Sequence, residues 1–373
     1  MEIHEISAEE AEKVFLHHKY KYGETIKYRC LIIGFGLYGT LAIKLCGKEI
    51  ILREPNDDEF VLKNWAVDEP DETEHPLMVV ELHIVVNKKE NPLSAAMETV
   101  ENLVKTIRLF SLNAAQNIGS IFTDYQDVGE SVEAYFYAPW LFPHPSYDYV
   151  LDKNGLQAFR RFLELIYPYI QENAFSEGLK LVHSIYSDAL YESLFDDDNS
   201  IIYEKRIMLA ISCLEGIYLR NLGSDSGLSF RLQMRLAKLF DDEYIARAIK
   251  IAYSIRSNFV HGNKLIGEQE MRKIKRLFKA LPARSSAIEL LTTSMLQYAR
   301  LSILIAINME RETKGSKEKL SDMYKKFIES LDTLLLSPDN RAAIKSIDEC
   351  LCSVKEFIKL TGPTDMYRKR ALY

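Results

Sequence analysis

The stretch Ala246–Lys264, ARAIKIAYSIRSNFVHGNK, decides how the fold of this chain is interpreted. Its apolar residues recur at spacings of four and three, which predicts a helix with one face packed on a core. Arg256 falls on that apolar stripe, and His261 follows about 140° further round the helix axis. Gly262 then ends the helix, because glycine suits the left-handed conformation after a C-terminus. A permanent cation and a titratable imidazole therefore share one helix end.

The pair has two interpretations at this point. An imidazole near a helix C-terminus can simply cap the dipole, and an arginine on a packed face can lie with its stem buried and its head in water. The same pair can also serve catalysis, since an imidazole titrates near neutral pH and a guanidinium binds phosphate. A buried Arg256 requires an acidic partner in either case.

Composition indicates an ordinary globular protein of two or three domains. The chain has 373 residues, of which 47% are hydrophobic. The first residues are acidic and amphipathic, unlike a secretory signal. The longest apolar run, 31–45, contains three glycines and is too short to span a bilayer as a helix. We therefore expect a cytoplasmic protein that does not enter the membrane.

The cysteine spacing and the net charge limit the kinds of binding or catalytic site that the chain is expected to contain. Five cysteines without a C-x-x-C spacing favour reduced thiols over a disulfide framework or a zinc ribbon. We expect neither a metal nor a cofactor, because the zincin, Walker A and G-x-S-x-G patterns do not occur. The net charge of −7 provides no general attraction to nucleic acid, so phosphate binding has to be local.

Residues 1–92 are expected to form a β-containing N-terminal domain. Three short runs rich in β-branched residues predict strands at 28–33, 49–53 and 77–86. Gly34–Gly39 matches the G-x-G-x-x-G pattern of dinucleotide sites, with Glu54 at a suitable distance for a ribose. Only about eight residues remain for the crossover helix that such a site requires, so we favour a small antiparallel sheet with glycines in its turns.

From Ser94 onward the pattern predicts helices, with Ser94 as a possible cap. Residues 93–195 are interpreted as a helical connector region. Within it, we expect the aromatic, proline-rich stretch Ala134–Tyr149 to be a packed link between domains rather than a surface that stacks on bases. Periodicity and break residues then predict helices at 155–173, 176–195, 200–221, 228–240, 242–262, 268–280, 285–310, 317–336 and 339–360. The expected class is α+β and mainly α, with a helical domain at 196–312 and further helices at 313–373.

Three consecutive runs in this helical part resemble the Apea-like branch of the HEPN superfamily. They are Arg206–Arg220 (RIMLAISCLEGIYLR), Leu228–Phe240 (LSFRLQMRLAKLF) and Ala252–Lys264 (AYSIRSNFVHGNK), and the last contains the pattern Tyr-x-x-Arg-Ser-x-x-Val-His-Gly. The resemblance covers about residues 200–310. Ser257 stands where the wider superfamily often has Asn, Asp or His after the arginine.

The resemblance implies a helical bundle that dimerises and places two R-x4-6-H motifs across one cleft. It also implies a metal-independent endoribonuclease of defence or toxin systems, with Arg256 and His261 as the catalytic pair. The residue types suit this chemistry: an imidazole can move the proton of an RNA 2′-hydroxyl or of the leaving oxygen, and a guanidinium can stabilise charge on the phosphate. A 2′,3′-cyclic phosphate and a 5′-hydroxyl are the expected products.

Several residues are expected to support this pair. Glu215 is the best partner for Arg256, and Ser257 and Asn258 lie within one turn of the motif. RNA contacts are expected from the turn and the basic run that follow, namely Asn263, Lys264, Arg272, Lys273, Lys275 and Arg276. An unidentified trigger or inhibitor would act at the N-terminal domain. The main alternative is a non-catalytic HEPN module that binds RNA or a protein and uses the pair structurally.

Overall fold

The structure is a computed structural model, which describes residues 2–5, 23, 25–56, 59, 76–85, 92–126, 129–136, 148–190, 199–220, 227–241, 243–262, 266–278, 286–314 and 319–361. The chain divides into two compact units. Unit 1 contains residues 1–174 and 190–195, and unit 2 contains residues 175–189 and 196–373. The secondary structure is mainly helical with a smaller β part towards the N-terminus, which confirms the α+β class expected from the sequence.

Unit 1 is built on a seven-stranded sheet. The strands of this unit are β1 (Glu2–Glu5), β2 (Thr25–Ile33), β3 (Phe35–Leu37), β4 (Thr40–Leu45), β5 (Lys48–Arg53), β6 (Leu77–Val85), β7 (Gln116–Gln126), β8 (Gly129–Phe136) and β9 (Tyr149–Leu151). The main sheet has the order β1-β8-β7-β2-β6-β5-β4, and a second sheet pairs β3 with β9. Neighbouring strands are antiparallel except in the β1–β8 and β3–β9 pairs, which are parallel.

The three strands predicted in the N-terminal part are present as β2, β5 and β6. They form because runs of β-branched residues fit the pleated, half-buried surface of a sheet. Between β4 and β5 the two-residue turn Cys46–Gly47 has positive φ at both positions, 48° and 85°. That geometry matches the right-handed twist of a tight hairpin, for which glycine is well suited and cysteine is not.

Two helices, α1 (Pro92–Phe110) and α2 (Leu156–Gln171), complete the described part of unit 1. An aromatic cluster joins α1 and α2 to the small sheet. Phe159 of α2 lies 5.4 Å from Phe35 and 4.9 Å from Phe110 between ring centroids, and Tyr149 stacks on Phe35 at 5.5 Å. Rings at these separations contribute contact energy beyond the burial of their area, so this cluster is a centre of the core of unit 1.

The region predicted as a helical connector contains two strands of the main sheet. Residues 93–195 are not helical throughout, because 116–126 and 129–136 form β7 and β8 in the main sheet. The expected connector at 134–149 begins in β8 and ends in β9, and its residues 137–147 lie outside the described residues. Helix α1 begins at Pro92, a residue suited to the first helical position, so Ser94 is not its cap.

In unit 2 the predicted helices are present, with bounds that shift by a few residues. The last predicted helix is divided in two by a turn at 352–354, and the helix predicted at 285–310 continues four residues further than expected. The helices are α3 (Glu177–Leu190), α4 (Asn199–Tyr218), α5 (Leu228–Phe240), α6 (Glu243–Val260), α7 (Glu268–Leu277), α8 (Ala287–Lys314), α9 (Leu320–Leu336), α10 (Arg341–Leu351) and α11 (Lys355–Thr361).

Helix α8 is the central element of unit 2. It packs against α4, α6, α7, α9 and α10. Within the described residues it is the one helix long and apolar enough to cross a membrane, yet 94% of its most apolar window is buried inside the protein. A helix that is apolar on all sides is expected where other helices surround it. Its composition is therefore accounted for by its position in the core.

Two polar contacts, each made by a buried charged side chain, tie helices of unit 2 together. The Arg235 guanidinium on α5 donates to both carboxylate oxygens of Asp332 on α9, at 2.8 and 2.7 Å, and to the carbonyl oxygen of Tyr218 at 2.6 Å. The Glu310 carboxylate on α8 accepts from the backbone N–H of Ser176, at the start of α3, at 2.7 Å. In each contact a charged group that is only 2–3% exposed has a partner. A buried charge without a partner would destabilise the fold.

Candidate active site

Helix α6 carries the predicted pair. Its buried face includes Ile245, Ile249 and Ala252, as the apolar spacing predicts. The helix ends at Val260, where the His261 N–H still donates to the carbonyl oxygen of Ser257 at 3.1 Å. Gly262 has φ +64°, which confirms the left-handed glycine expected after the helix.

Arg256 lies at the border of the buried face rather than inside it. Its side chain is 28% exposed, and Nη2 donates to Oε2 of Glu215 at 3.2 Å. Glu215 belongs to the last turn of α4, which packs on α6. The acidic partner expected for Arg256 is therefore present. The contact uses one guanidinium nitrogen and leaves the remaining donors of the fork for other acceptors.

Tyr253 is a third member of this cluster, and the sequence pattern alone predicts no role for it. It precedes Arg256 by about one helical turn, and the guanidinium lies over its ring at 5.7 Å from the centroid. Burial first, and then the nearby Glu215 carboxylate, raise the pKa of Tyr253 to about 12. In the sequence, the tyrosine of the Tyr-x-x-Arg pattern is the feature from which this neighbour of Arg256 could have been identified.

The imidazole of His261 is exposed at the end of α6. Within the described part of the chain, its ring has no hydrogen-bond partner. Ser257 and Asn258 are half-buried, and among described residues neither side chain bonds to Arg256 or His261. An exposed imidazole is free to exchange protons with solvent or with a bound molecule, which suits a general acid or base.

A basic surface follows the pair. Helix α7 packs against α6 and α8 through a face that includes Ile274 and Leu277. Its other face exposes the four predicted basic residues Arg272, Lys273, Lys275 and Arg276. Nη2 of Arg272 lies 3.2 Å from Oε2 of Glu268, and both side chains are exposed. An ion pair on an exposed surface is weak. The predicted contacts Asn263 and Lys264 lie outside the described residues.

The glycine motif of unit 1 has a structural explanation. Gly34 and Gly39 have φ of 82° and 100° in turns on either side of β3, and the strand β4 follows directly. A dinucleotide site needs the N-terminus of a helix at that place. Glu54, the expected ribose ligand, instead accepts the Gly39 backbone N–H. The geometry therefore favours the small sheet over a nucleotide site.

Two further features of the described residues are separate from the pair. No group of three or more His, Cys, Asp or Glu side chains in the described ranges is close enough together to hold a metal ion. A cavity of about 230 Å³ lies between α8, α9 and α10, lined by Met309, Phe327, Cys350 and others, and none of the predicted site residues lines it.

Comparisons of this chain with protein-family models, with curated proteins and with solved structures found no match.

Proposed function

We propose that this protein is a metal-independent endoribonuclease that uses Arg256 and His261. One observation supports the proposal most directly. A guanidinium anchored by a single contact to Glu215 and an exposed imidazole occupy the end of one helix, and the exposed basic face of α7 packs beside that helix. An anchored cation, a proton-transfer group and a track of positive charge are what cleavage of a phosphodiester requires.

In the proposed reaction the 2′-hydroxyl of RNA attacks its own adjacent phosphorus. A base removes the hydroxyl proton, the P–O5′ bond breaks, and an acid protonates the leaving oxygen. The products are a 2′,3′-cyclic phosphate and a 5′-hydroxyl. Arg256 stabilises the negative charge that develops on the phosphate oxygens, because a planar guanidinium matches two of them at once.

One imidazole cannot readily perform both proton transfers in the same step. We therefore propose a homodimer in which His261 of each protomer contributes to one cleft, as the HEPN resemblance implies. The chain would act in the cytoplasm in defence against phage or as a toxin. An unidentified trigger or inhibitor would bind unit 1 and control the nuclease.

A second candidate function has its own supporting observation. Arg256 is paired with Glu215, which is also the arrangement expected if the arginine only holds α6 against α4. In that case the domain is a non-catalytic HEPN module that binds RNA or a protein partner through the face of α7. His261 would then serve to cap the helix dipole.

RNA cleavage in EDTA by the wild type and by His261→Ala distinguishes the two candidates. The nuclease proposal expects cleavage by the wild type to give cyclic phosphate ends, and a loss of about 100-fold to 10,000-fold in the variant. The melting temperature should be unchanged, because His261 is exposed. His83→Ala in unit 1 is the matched control, since it also removes an exposed imidazole.

Equal cleavage by His261→Ala and the wild type would reject these residues as the site. A folded wild type that binds RNA through α7 and does not cleave it would favour the binding module. A large fall in melting temperature for His261→Ala would assign the residue to the fold.

A further inference from the structure

The cavity between α8, α9 and α10 has a lining rich in sulfur. Its volume is about 230 Å³, and its lining residues include Met309 of α8, Met323 and Phe327 of α9, and Cys350 of α10. Met309 and Phe327 are only 1% exposed, so the apolar wall belongs to the core of unit 2. We call it the sulfur-lined cavity.

Polar contacts hold the three helices around this cavity. Nδ2 of Asn308 on α8 donates to the carbonyl oxygen of Cys350 on α10 at 2.9 Å. The hydroxyl oxygens of Ser330 on α9 and Ser346 on α10 lie 3.0 Å apart. Asn308 and Ser330 are buried, and breaking a buried hydrogen bond costs free energy. The helices are therefore held in place, and the sulfur-lined cavity is pre-formed, as ligand sites usually are.

The size and the lining of the cavity suit a small and largely apolar ligand. An apolar cavity of about 150 Å³ binds benzene, whereas drug-sized ligands occupy about 300–1,000 Å³. A cavity of intermediate size has room for one ring or a short alkyl chain. Methionine side chains adapt to the shape of such a group because they are unbranched and polarisable. Filling the cavity with an apolar group adds burial and dispersion contacts.

The charged residues that line the cavity favour an anion. Glu312 lies 2.9 Å from Arg311, and Glu349 lies 3.8 Å from Lys345. Each carboxylate therefore has a basic neighbour. Lys326 also lines the cavity and is exposed. Among the described residues, no carboxylate lies within ion-pair distance of its ammonium group. A negative group of a ligand can pair with this ammonium while the apolar part of the ligand lies against the wall.

We propose that the sulfur-lined cavity binds a small apolar monocarboxylate, with Lys326 as its counter-ion. The aryl or alkyl part lies against Met309 and Phe327, and the carboxylate lies at the solvent-exposed side. The proposal goes beyond the proposed nuclease and does not rest on it, because it uses no residue of α6 or α7. RNA cleavage is therefore not a readout of its test.

Alkylation of cysteines by N-ethylmaleimide at pH 7, followed by peptide mass spectrometry of the full chain, measures binding. Cys350 and Cys352 line the cavity, whereas Cys46 is an exposed thiol of unit 1 that does not. The probe 3-phenylpropionate should slow alkylation of Cys350 and Cys352, by about tenfold at nine times its Kd, and leave Cys46 unaffected. Protection should be weaker with 3-phenylpropan-1-ol and weakest with 3-phenylpropylamine.

Two variants test the counter-ion. Lys326→Gln should raise the Kd of 3-phenylpropionate about threefold to fivefold, the effect of one exposed ion pair, and leave the Kd of the alcohol unchanged. Lys325→Gln is the matched control, because it removes the neighbouring exposed lysine of α9, which does not line the cavity. It should change neither Kd.

Equal protection by the acid, the alcohol and the amine would overturn the proposal, as would an unchanged Kd in Lys326→Gln. Strongest protection by the amine would assign the cavity to a cation and overturn it as well. Equal protection of Cys46 would show an effect on the reagent rather than binding at the cavity. Absence of protection up to about 30 mM 3-phenylpropionate, several times the millimolar Kd expected for a ligand of this size, would reject the site.

Discussion

Arg256 on α6 and Glu215 on α4 are joined by one bond of 3.2 Å, and their side chains remain 28% and 20% exposed. A partly exposed single-contact pair contributes little to folding, about 0–1 kcal/mol. The packing of α6 on α4 instead depends on buried apolar residues such as Ile249, Ala252 and Leu214. Substitutions at Arg256 therefore test function more than stability.

Arg256→Lys should abolish most cleavage while the protein stays folded. A lysine keeps the charge and can still pair with Glu215, but it cannot bind two phosphate oxygens with fork geometry. We expect kcat to fall about 100-fold and the melting temperature to change by less than about 3 °C. Arg247→Lys, at an exposed position of the same helix, is the control and should retain activity. Full activity in Arg256→Lys would remove the guanidinium from the mechanism.

The basic face of α7 should determine how RNA binding depends on salt. Replacing Lys273, Lys275 and Arg276 with Gln removes up to three phosphate contacts. Each lost contact should reduce the slope of log K against log salt concentration by about 0.7 for single-stranded RNA. Binding of a labelled RNA to the His261→Ala protein, followed by fluorescence anisotropy at several salt concentrations, measures the slope.

Lys325→Gln and Lys345→Gln provide the comparison for α7. Both lysines are exposed, on α9 and α10, so their loss changes net charge without changing the proposed track. A slope reduced equally by these variants would show that α7 has no special part in binding.

Asp332→Ala should destabilise unit 2 by about 3 kcal/mol. The change leaves the Arg235 guanidinium, which is 2% exposed, without its carboxylate. Arg235→Met, which removes the charge and fills similar space, should cost less. Urea denaturation of both variants measures the difference. Asp348→Ala, which breaks an exposed pair with Lys355, should cost less than about 1 kcal/mol. A smaller loss in Asp332→Ala than in Arg235→Met would contradict this account.

Glu59 should make unit 1 sensitive to acid. Burial opposes ionisation of this carboxyl, but hydrogen bonds from Arg53 and Asn56 and the charges of Arg53 and Arg29 outweigh burial and lower its pKa. Because the pKa of Glu59 is lower in the folded state than in the unfolded state, its ionised form stabilises the protein at pH values above the unfolded-state pKa of about 4.3. That stabilisation is lost as the pH falls through the folded-state pKa. Glu59→Gln should cost about 2 kcal/mol at pH 7.

The difference in unfolding free energy between the wild type and Glu59→Gln should become smaller as pH falls from about 5 to about 3. Protonation of Glu59 removes from the wild type the stabilisation that the variant already lacks. Urea midpoints of both proteins across that range measure it. Glu101→Gln, in an exposed pair on α1, is the control and should show no such convergence. A constant difference between Glu59→Gln and the wild type at every pH would show that ionisation of Glu59 is not the cause.

Much of unit 2 could be predicted from residue order because the helical signal is local. The apolar spacing of α6, the break at Gly262 and the acidic partner Glu215 can all be recognised without knowledge of the tertiary structure. The same holds for β2, β5 and β6, in which β-branched residues are concentrated.

The strands β7 and β8 could not be recognised in the same way. The sequence of β7, QNIGSIFTDYQ, contains polar residues and a glycine that are typical of loops. It becomes a strand because β2 supplies hydrogen-bond partners from 27 to 33, far earlier in the chain. Pairing between distant segments is a property of the fold, which a local pattern does not contain.

Residue order by itself determined the helix that carries Arg256 and His261, its glycine end and the charge of the helix that follows, because each depends on neighbours within a few turns. Only the tertiary structure decided that Arg256 and Glu215 meet through a single bond of 3.2 Å. That contact requires α4 and α6 to pack side by side, and their packing is set by apolar burial across residues about 40 positions apart. The candidate residues could thus be recognised in the sequence, whereas the geometry of the bond between Arg256 and Glu215 could not.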